Sequence, residues 1–204
     1  MTKGKITMIR SSLLAMVLTL FTGLAAAQQP AATEEETNTA TKTNNGFSQE
    51  EVLEKANAFF GETTEGLAKA VEKVFEDQGS PNAIIAGEEI SAAISVGVRY
   101  GKGELQTVAG ETQKVFWQGP SVGFDLGANA SKVFTLVYKL DDAEQLFQRF
   151  PGVEGSVYVV AGVGVNYQRS GEVTLAPIRT GVGLRGGANV GYTHYTKKKS
   201  WIPF

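Results

Sequence analysis

His194 is the single imidazole of this 204-residue chain, and the chain has no cysteine. Without thiols there can be no disulfide, thiolate nucleophile, Cys/His zinc site or cysteine-borne lipid anchor. A serine hydrolase would need His194 between a carboxylate and a serine on a strained nucleophile elbow. The expectation is that the chain holds no Gly-x-Ser-x-Gly elbow, and Tyr192-Thr193-His194-Tyr195 reads as ordinary strand. Neither a metal nor a cofactor is expected.

Carboxylates offer little more. Glu88 and Glu89 are adjacent, and on a strand neighbours point to opposite faces, so they cannot act as an acid/base pair without a bulge. Asp141-Asp142 reads as charge at a helix start. The glycine-rich run Gly181–Gly187 invites a nucleotide reading, but no crossover helix follows it. Lys197-Lys198-Lys199 reads as a solvated run, with contact to anionic lipid as the alternative. Four residues combine charge or stacking surface with strand ends or turns, and these are the candidate ligand contacts: Arg99, Trp117, Arg179 and Arg185.

The whole chain carries 19 basic and 21 acidic residues, a net charge of −2. That balance supplies no basic field for nucleic acid. Lys3, Lys5 and Arg10 precede an apolar run, Leu13–Leu24, and then Ala25-Ala26-Ala27. This is the layout of a secretory signal cleaved after Ala27, since the run falls short of the ~20 residues that span a bilayer. Arg10 has no arginine neighbour, which favours the general secretion route over the twin-arginine route. A periplasmic location is therefore expected for residues 28–204. Residues 28–46 hold no large apolar side chain and read as a disordered tether.

Folded structure is expected from Phe47. Ser48 and Glu51 have capping-box spacing, with Phe47 and Val52 placed for a hydrophobic staple. Apolar residues then recur at helical period through Phe60 and again from Leu67 to Phe75, with Gly61 and Thr63-Thr64 as the break. Two short helices thus fill 47–79. Beyond Pro81 the period falls to two, and 80–204 is read as the β domain. Strand candidates are Ala83–Ile90, Ile94–Tyr100, Glu104–Val108, Lys114–Gln118, Ser121–Leu126, Lys132–Tyr138, Ser156–Tyr167, Glu172–Ile178 and Gly183–Thr196. Turn chemistry is assigned to Gly101-Lys102-Gly103, Gly119-Pro120, Ala128-Asn129 and Ser170-Gly171. Asp141–Phe147 is read as a short helix closed by Pro151-Gly152.

Eighteen of the 24 glycines lie at or beyond Gly87, many of them inside strands. Glycine weakens a strand unless the sheet bends sharply or another backbone comes close. The expected fold is accordingly mainly β: a small antiparallel β-barrel of about eight strands with an apolar lumen, preceded by two short helices. In Val157–Tyr167 the valines at 157, 159, 163 and 165 are assigned one face. An outer-membrane barrel is the rival. Against it stand Pro203 and Lys198 in the terminal segment, and strands mostly shorter than the 9–11 residues a bilayer needs.

The C-terminal half resembles the EipA-type envelope proteins of alphaproteobacteria, long described as a domain of unknown function. Three stretches carry the likeness: Gly119–Ser131, Phe150-Pro-Gly-Val-Glu-Gly155 and Leu175-Ala-Pro-Ile-Arg-Thr-Gly-Val-Gly183. Gly191-Tyr192 and the closing Trp201-Ile-Pro-Phe204 belong with them, and the likeness runs from about Phe47 to the end. It implies a soluble periplasmic protein with a barrel of about eight strands, a role in envelope integrity and stress resistance, and no assigned enzymatic activity. A shorter likeness to SYLF-type lipid-binding domains runs through Val98-Arg99-Tyr100-Gly101, Ser121–Ala128 and Val133–Val137. The resulting expectation is a non-enzymatic monomer that supports the envelope through a lipid, glycan or protein partner, without spanning a membrane. The alternative is a periplasmic hydrolase of envelope polymer acting through Glu154 and Asp125.

Overall fold

The computed structural model describes residues 45–61, 64–125, 130–180 and 191–200, with backbone alone at 92–96 and 121–125. The export segment, the tether up to Asn44, Ala128-Asn129, Arg185 and the closing tetrapeptide lie outside the described residues.

Two helices come first. α1 (Gln49–Phe60) starts from the expected capping box: the Glu51 amide donates to Ser48 Oγ at 3.2 Å, and the Ser48 amide donates to the Glu51 carboxylate at 2.7 Å. Gly61, at φ 82°, ends it, and Thr64 caps α2 (Glu65–Gln78). Their stripes, including Val52, Ala56, Leu67, Val71 and Val74, pack on one outer face of a sheet against Ile84, Phe134, Leu136 and Ile178. Phe47 and Val52 join the same cluster, as a hydrophobic staple requires.

Nine strands follow among the described residues: β1 (Ala83–Thr107), β2 (Thr112–Asp125), β3 (Ser131–Tyr138), β4 (Arg149–Pro151), β5 (Tyr158–Val160), β6 (Val163–Val165), β7 (Gln168–Ser170), β8 (Val173–Thr180) and β9 (Tyr192–Thr196). They form one antiparallel sheet in the order β4-β9-β2-β1-β3-β8-β6-β5, with β7 also on β8. A bridge between Gly152 and Gln168 joins the end of β4 to β7, so the sheet curls round to meet itself. The mainly-β, barrel-like fold behind two helices agrees with expectation.

Its corner is a single strand. β1 runs for 25 residues; its first arm pairs with β3 and its second with β2. The turns expected at Gly101-Lys102-Gly103 and Gly119-Pro120 are therefore corrected: both lie inside strands, and the β1–β2 turn sits at Val108–Glu111, where Gly110 has φ 88°. The interior glycines serve close approach instead. A Cβ on Gly87 would lie 2.7 Å from Gly103 Cα and 2.7 Å from Trp117 Cη2, and one on Gly101 would fall inside the Trp117 indole. The two arms of β1 thus cross at Gly87 and Gly103, with the indole laid on the crossing.

Three further readings are corrected. Ser156–Tyr167 is a hairpin, because Ala161 (φ 45°) and Gly162 (φ 84°) turn the chain between β5 and β6. Val163 and Val165 consequently face the helices while Val157 and Val159 are exposed. The segment 141–147 holds only one 3-10 turn, Ala143–Leu146, capped by Asp142, and Pro151-Gly152 continues into sheet pairing. The lumen is apolar along only part of its length. Ile85, Leu105, Val115, Leu146, Phe150 and Leu175 fill the end where β1 starts and its second arm finishes. Charged residues occupy the other end. As for the outer-membrane rival, α1 and α2 cover the outer face of β3 and β8, leaving that face no contact with lipid.

Gly101→Ala is expected to cost about 2 kcal/mol of unfolding free energy, the usual penalty of forcing a methyl into a filled interior. Urea denaturation of the purified variant measures it; an unchanged midpoint would mean that the indole does not lie on Gly101.

Candidate functional site

Alternation along β1 puts its odd-numbered residues inside. Ala83, Ile85 and Gly87 lead to Glu89 on the first arm, while Arg99, Gly101, Gly103 and Leu105 follow on the second. Parity on β2, β8 and β9 likewise turns Trp117, Arg179, Thr193 and Tyr195 inward, and Asn166 and Gln168 follow from β6 and β7. These side chains meet at the end of the barrel where β3 begins and β8 ends. Three candidates from the sequence, Arg99, Trp117 and Arg179, are brought together there. Arg185 lies outside the described residues.

Glu89 is the hub. One carboxylate oxygen accepts from Trp117 Nε1 at 2.8 Å and from Arg179 Nη2 at 3.4 Å. Arg179 Nη1 donates to Asn166 Oδ1 at 3.1 Å. Arg99 Nη2 donates to Thr193 Oγ1 at 3.1 Å, and Gln168 Nε2 reaches the same hydroxyl at 3.0 Å. Only 6% of Arg99 and 8% of Glu89 are exposed. Arg179 opens most to solvent, with 13% of its side chain accessible. Asn166 Nδ2 and Gln168 Oε1 are buried polar atoms of this group without a hydrogen-bond partner among the described residues.

Burial alone would push the Glu89 carboxyl up, but the charges of Arg179 and Arg99 and the indole hydrogen bond hold it below its ordinary value of 4.5. Burial, assisted by the neighbouring Arg179 charge and opposed by Glu89, pulls the Arg99 guanidinium down. Tyr195 is pushed up to about 12, chiefly by burial, and stays neutral. The arrangement is thus two guanidiniums around one carboxylate, lined with amide and hydroxyl groups. It is suited to holding a planar or tetrahedral anion.

The remaining chemistry-bearing residues are placed elsewhere. Glu88 is exposed on the opposite face from Glu89, as alternation requires. Glu154 is exposed in a turn, and Asp125 pairs with Ala93 at the far end of the β1–β2 ribbon. His194 pairs with Gln118 and Arg149 in the sheet, and partial burial beside the Arg149 charge lowers its pKa. One expectation needs amending: Gly119-Pro120-Ser121-Val122-Gly123 does have elbow spacing. It lies within extended β2, however, not on the sharp strand-to-helix turn that exposes such a nucleophile. A cleft of about 280 Å³ on the outer side of the β1–β2 ribbon is lined by Ile90, Tyr100, Phe116 and Lys102. It is separate from the charged group, though Trp117 borders both.

Spacing alone does not single out Glu89, although the inward series Ala83, Ile85, Gly87 points to it. Asn166 and Gln168 are hidden for a different reason: the turn at Ala161-Gly162 changes the face of everything after it.

A curled antiparallel sheet with a charged inner end and a helical outer cover defines the class as a small barrel-like β protein. The chain matches the model of the envelope integrity protein A family over residues 45–204, and it belongs to that family. It is also similar to a crystal structure of a β-barrel-like protein from Brucella abortus, described as uncharacterized. The two are 48% identical with a TM-score of 0.73, covering 78% of this chain and 99% of that one. No curated protein matches the chain.

Because the folded state holds Glu89 below 4.5, its contribution to stability is complete above that value and is lost as pH falls through the lower folded value. Glu89→Gln should cost about 3 kcal/mol at neutral pH, as expected for breaking a buried ionic group, and should flatten the acid limb. Denaturant titrations of both proteins from neutral pH down into the acid transition check this; parallel acid limbs would remove Glu89 from the account.

Proposed function

We propose that this protein is exported to the periplasm and supports envelope integrity and stress resistance as a non-enzymatic binding module. On this reading its partner is an envelope lipid, glycan or protein, held at the charged end of the barrel by Arg99, Trp117 and Arg179, with Arg185 as a further contact. The observation that carries the envelope role is the family match across 45–204. Support for export comes from Lys3–Ala27, with its basic start, apolar run and small residues before Gln28. Binding, as opposed to turnover, is favoured by the make-up of the inner cluster. Arginine, tryptophan and amide side chains hydrogen-bond and stack, and its one carboxylate is held ionised by two guanidiniums.

Deleting the gene should sensitise cells to detergent, EDTA and cell-wall antibiotics, and the intact gene should restore resistance. Fractionation should recover the product in the periplasm with Gln28 at its N-terminus. Unchanged sensitivity in all three conditions would overturn the envelope role, and recovery with the cytoplasmic fraction would overturn export.

A further inference from the structure

The outer cleft of about 280 Å³ is built by the same corner of β1 as the charged end, but from the opposite set of side chains. Parity turns Glu88 and Ile90 of the first arm outward, and Tyr100 and Lys102 of the second. Phe116, opposite Lys102 in the β1–β2 register, completes an apolar wall with Ile90 and Tyr100. Ile90 is 44% exposed, and Tyr100 and Phe116 are half-buried, so that wall stays open to solvent. The cleft also holds two opposite charges that do not meet. Lys132, the register partner of Glu88, donates instead to the carbonyls of Phe59 and Phe60 at 2.9 and 3.2 Å. Lys102 has an aromatic ring opposite it rather than a carboxylate. Among the described residues, neither the Glu88 carboxylate nor the Lys102 ammonium has an ion-pair or hydrogen-bond partner. The crossing at Gly87 and Gly103, one residue from each, puts one charge on each arm of the corner. An apolar wall with a few polar groups to fix orientation is the usual make-up of a small-molecule site. At about 30 Å³ per water, the space equals roughly nine waters. That is the bulk of one amino acid and too little for the acyl chains of a lipid.

We infer that this cleft binds a free amino acid with an apolar side chain. The ligand's ammonium group pairs with Glu88, its carboxylate pairs with Lys102, and its side chain lies against Ile90, Tyr100 and Phe116. Charge complementarity selects the zwitterion. An anion would meet Glu88 and a cation would meet Lys102, whereas a ligand bearing both groups satisfies both. Burial of the apolar body drives binding. Both charged side chains are exposed, so their contacts add little affinity and instead set orientation and selectivity. A phosphatidylethanolamine head group carries the same pair of charges, but its acyl chains exceed the cleft. The inference goes beyond the envelope role and uses none of the buried ionic contacts, so either can fail without the other.

The test is a proton–nitrogen NMR titration of the purified protein with the apolar amino acids, from valine to tryptophan in size. At least one should shift the amide signals of Ile90, Lys102 and Phe116 in a saturable way. Its N-acetyl derivative lacks the ammonium group and its amide lacks the carboxylate. Each should bind about fivefold more weakly, the worth of one exposed ion pair. Glycine, with no apolar body, should give no saturable shift. Glu88→Gln should bind the amino acid and its N-acetyl derivative equally, while Lys102→Gln should bind the amino acid and its amide equally. Each variant then loses one discrimination and keeps the other, a pattern that misfolding cannot produce, and each spectrum reports directly that its protein is folded. Absence of a saturable shift with every apolar amino acid would overturn the site. So would equal wild-type affinities for the amino acid, its N-acetyl derivative and its amide. Shifts at these amides with phosphatidylethanolamine bicelles but with no amino acid would replace the proposed ligand by a lipid and overturn it as well.

Discussion

The indole of Trp117 rests on glycine and hydrogen-bonds a buried carboxylate, and most of this structure depends on that contact. Its flat side needs Gly101 and its far edge needs Gly87, because a methyl at either position would collide with the ring. With those side chains reduced to hydrogen, β1 can double back until Gly87 meets Gly103, and a single strand serves two parts of the sheet. The same indole directs its N–H to Glu89, and buried tryptophan needs such a partner. Closure of the sheet and placement of the ionic hub thus come from one side chain.

Along the barrel axis, polarity then sorts itself. Aliphatic and aromatic residues fill one end, where Phe150 and Tyr195 meet edge to face with centroids 5.9 Å apart. The ionic group fills the other end, and Tyr195 touches both, also lying 5.7 Å from the Trp117 ring. Burying two arginines and a glutamate is a poor way to gain stability, since desolvation offsets most of the attraction. The apolar end and the helix-covered outer face bear that load instead. α2 sits close enough to the β5–β6 turn that a side chain on Gly66 would strike the Ala161 carbonyl, so the outer cover is fitted to the sheet as closely as the interior.

Helices were legible in the sequence because their signals are local. Ser48, Glu51, Gly61 and Gly79 each act within one turn of chain, and all four take the expected roles. Export, tether and Arg185 fall outside the described residues, so the fold neither supports nor opposes those readings. Strand continuity was harder to read, because glycine and proline mean a turn in one setting and a close approach in another. Gly101-Lys102-Gly103 carries every mark of a hairpin loop, and only the distant Trp117 decides otherwise. Arg99, Trp117 and Arg179 stand out by residue type, yet 80 residues separate the two arginines. Only sheet order brings them together. Glu89 was hidden by its neighbour Glu88: the pair looks like surface charge until alternation sends one of them inward.

Guanidinium, not ammonium, is the group suited to this interior. Lysine loses its proton readily when buried, whereas arginine keeps its charge and presents donors in a rigid plane. Arg179 uses that plane to hold Glu89 with one nitrogen and Asn166 with another, while Arg99 is tied to Thr193 on β9. The two forks are thereby anchored on different strands of a closed sheet, and neither can swing away to be neutralised by water. A barrel that only needed filling would place leucine or phenylalanine at these positions, as it does a few residues along at Leu105 and Leu175. The inward alternation is kept, but charge replaces hydrocarbon on β1 and β8 at one end only. An interior built this way fixes two guanidiniums and a carboxylate through partners on separate strands, so the polar end of the barrel is tied together by directed hydrogen bonds as the apolar end is by packing.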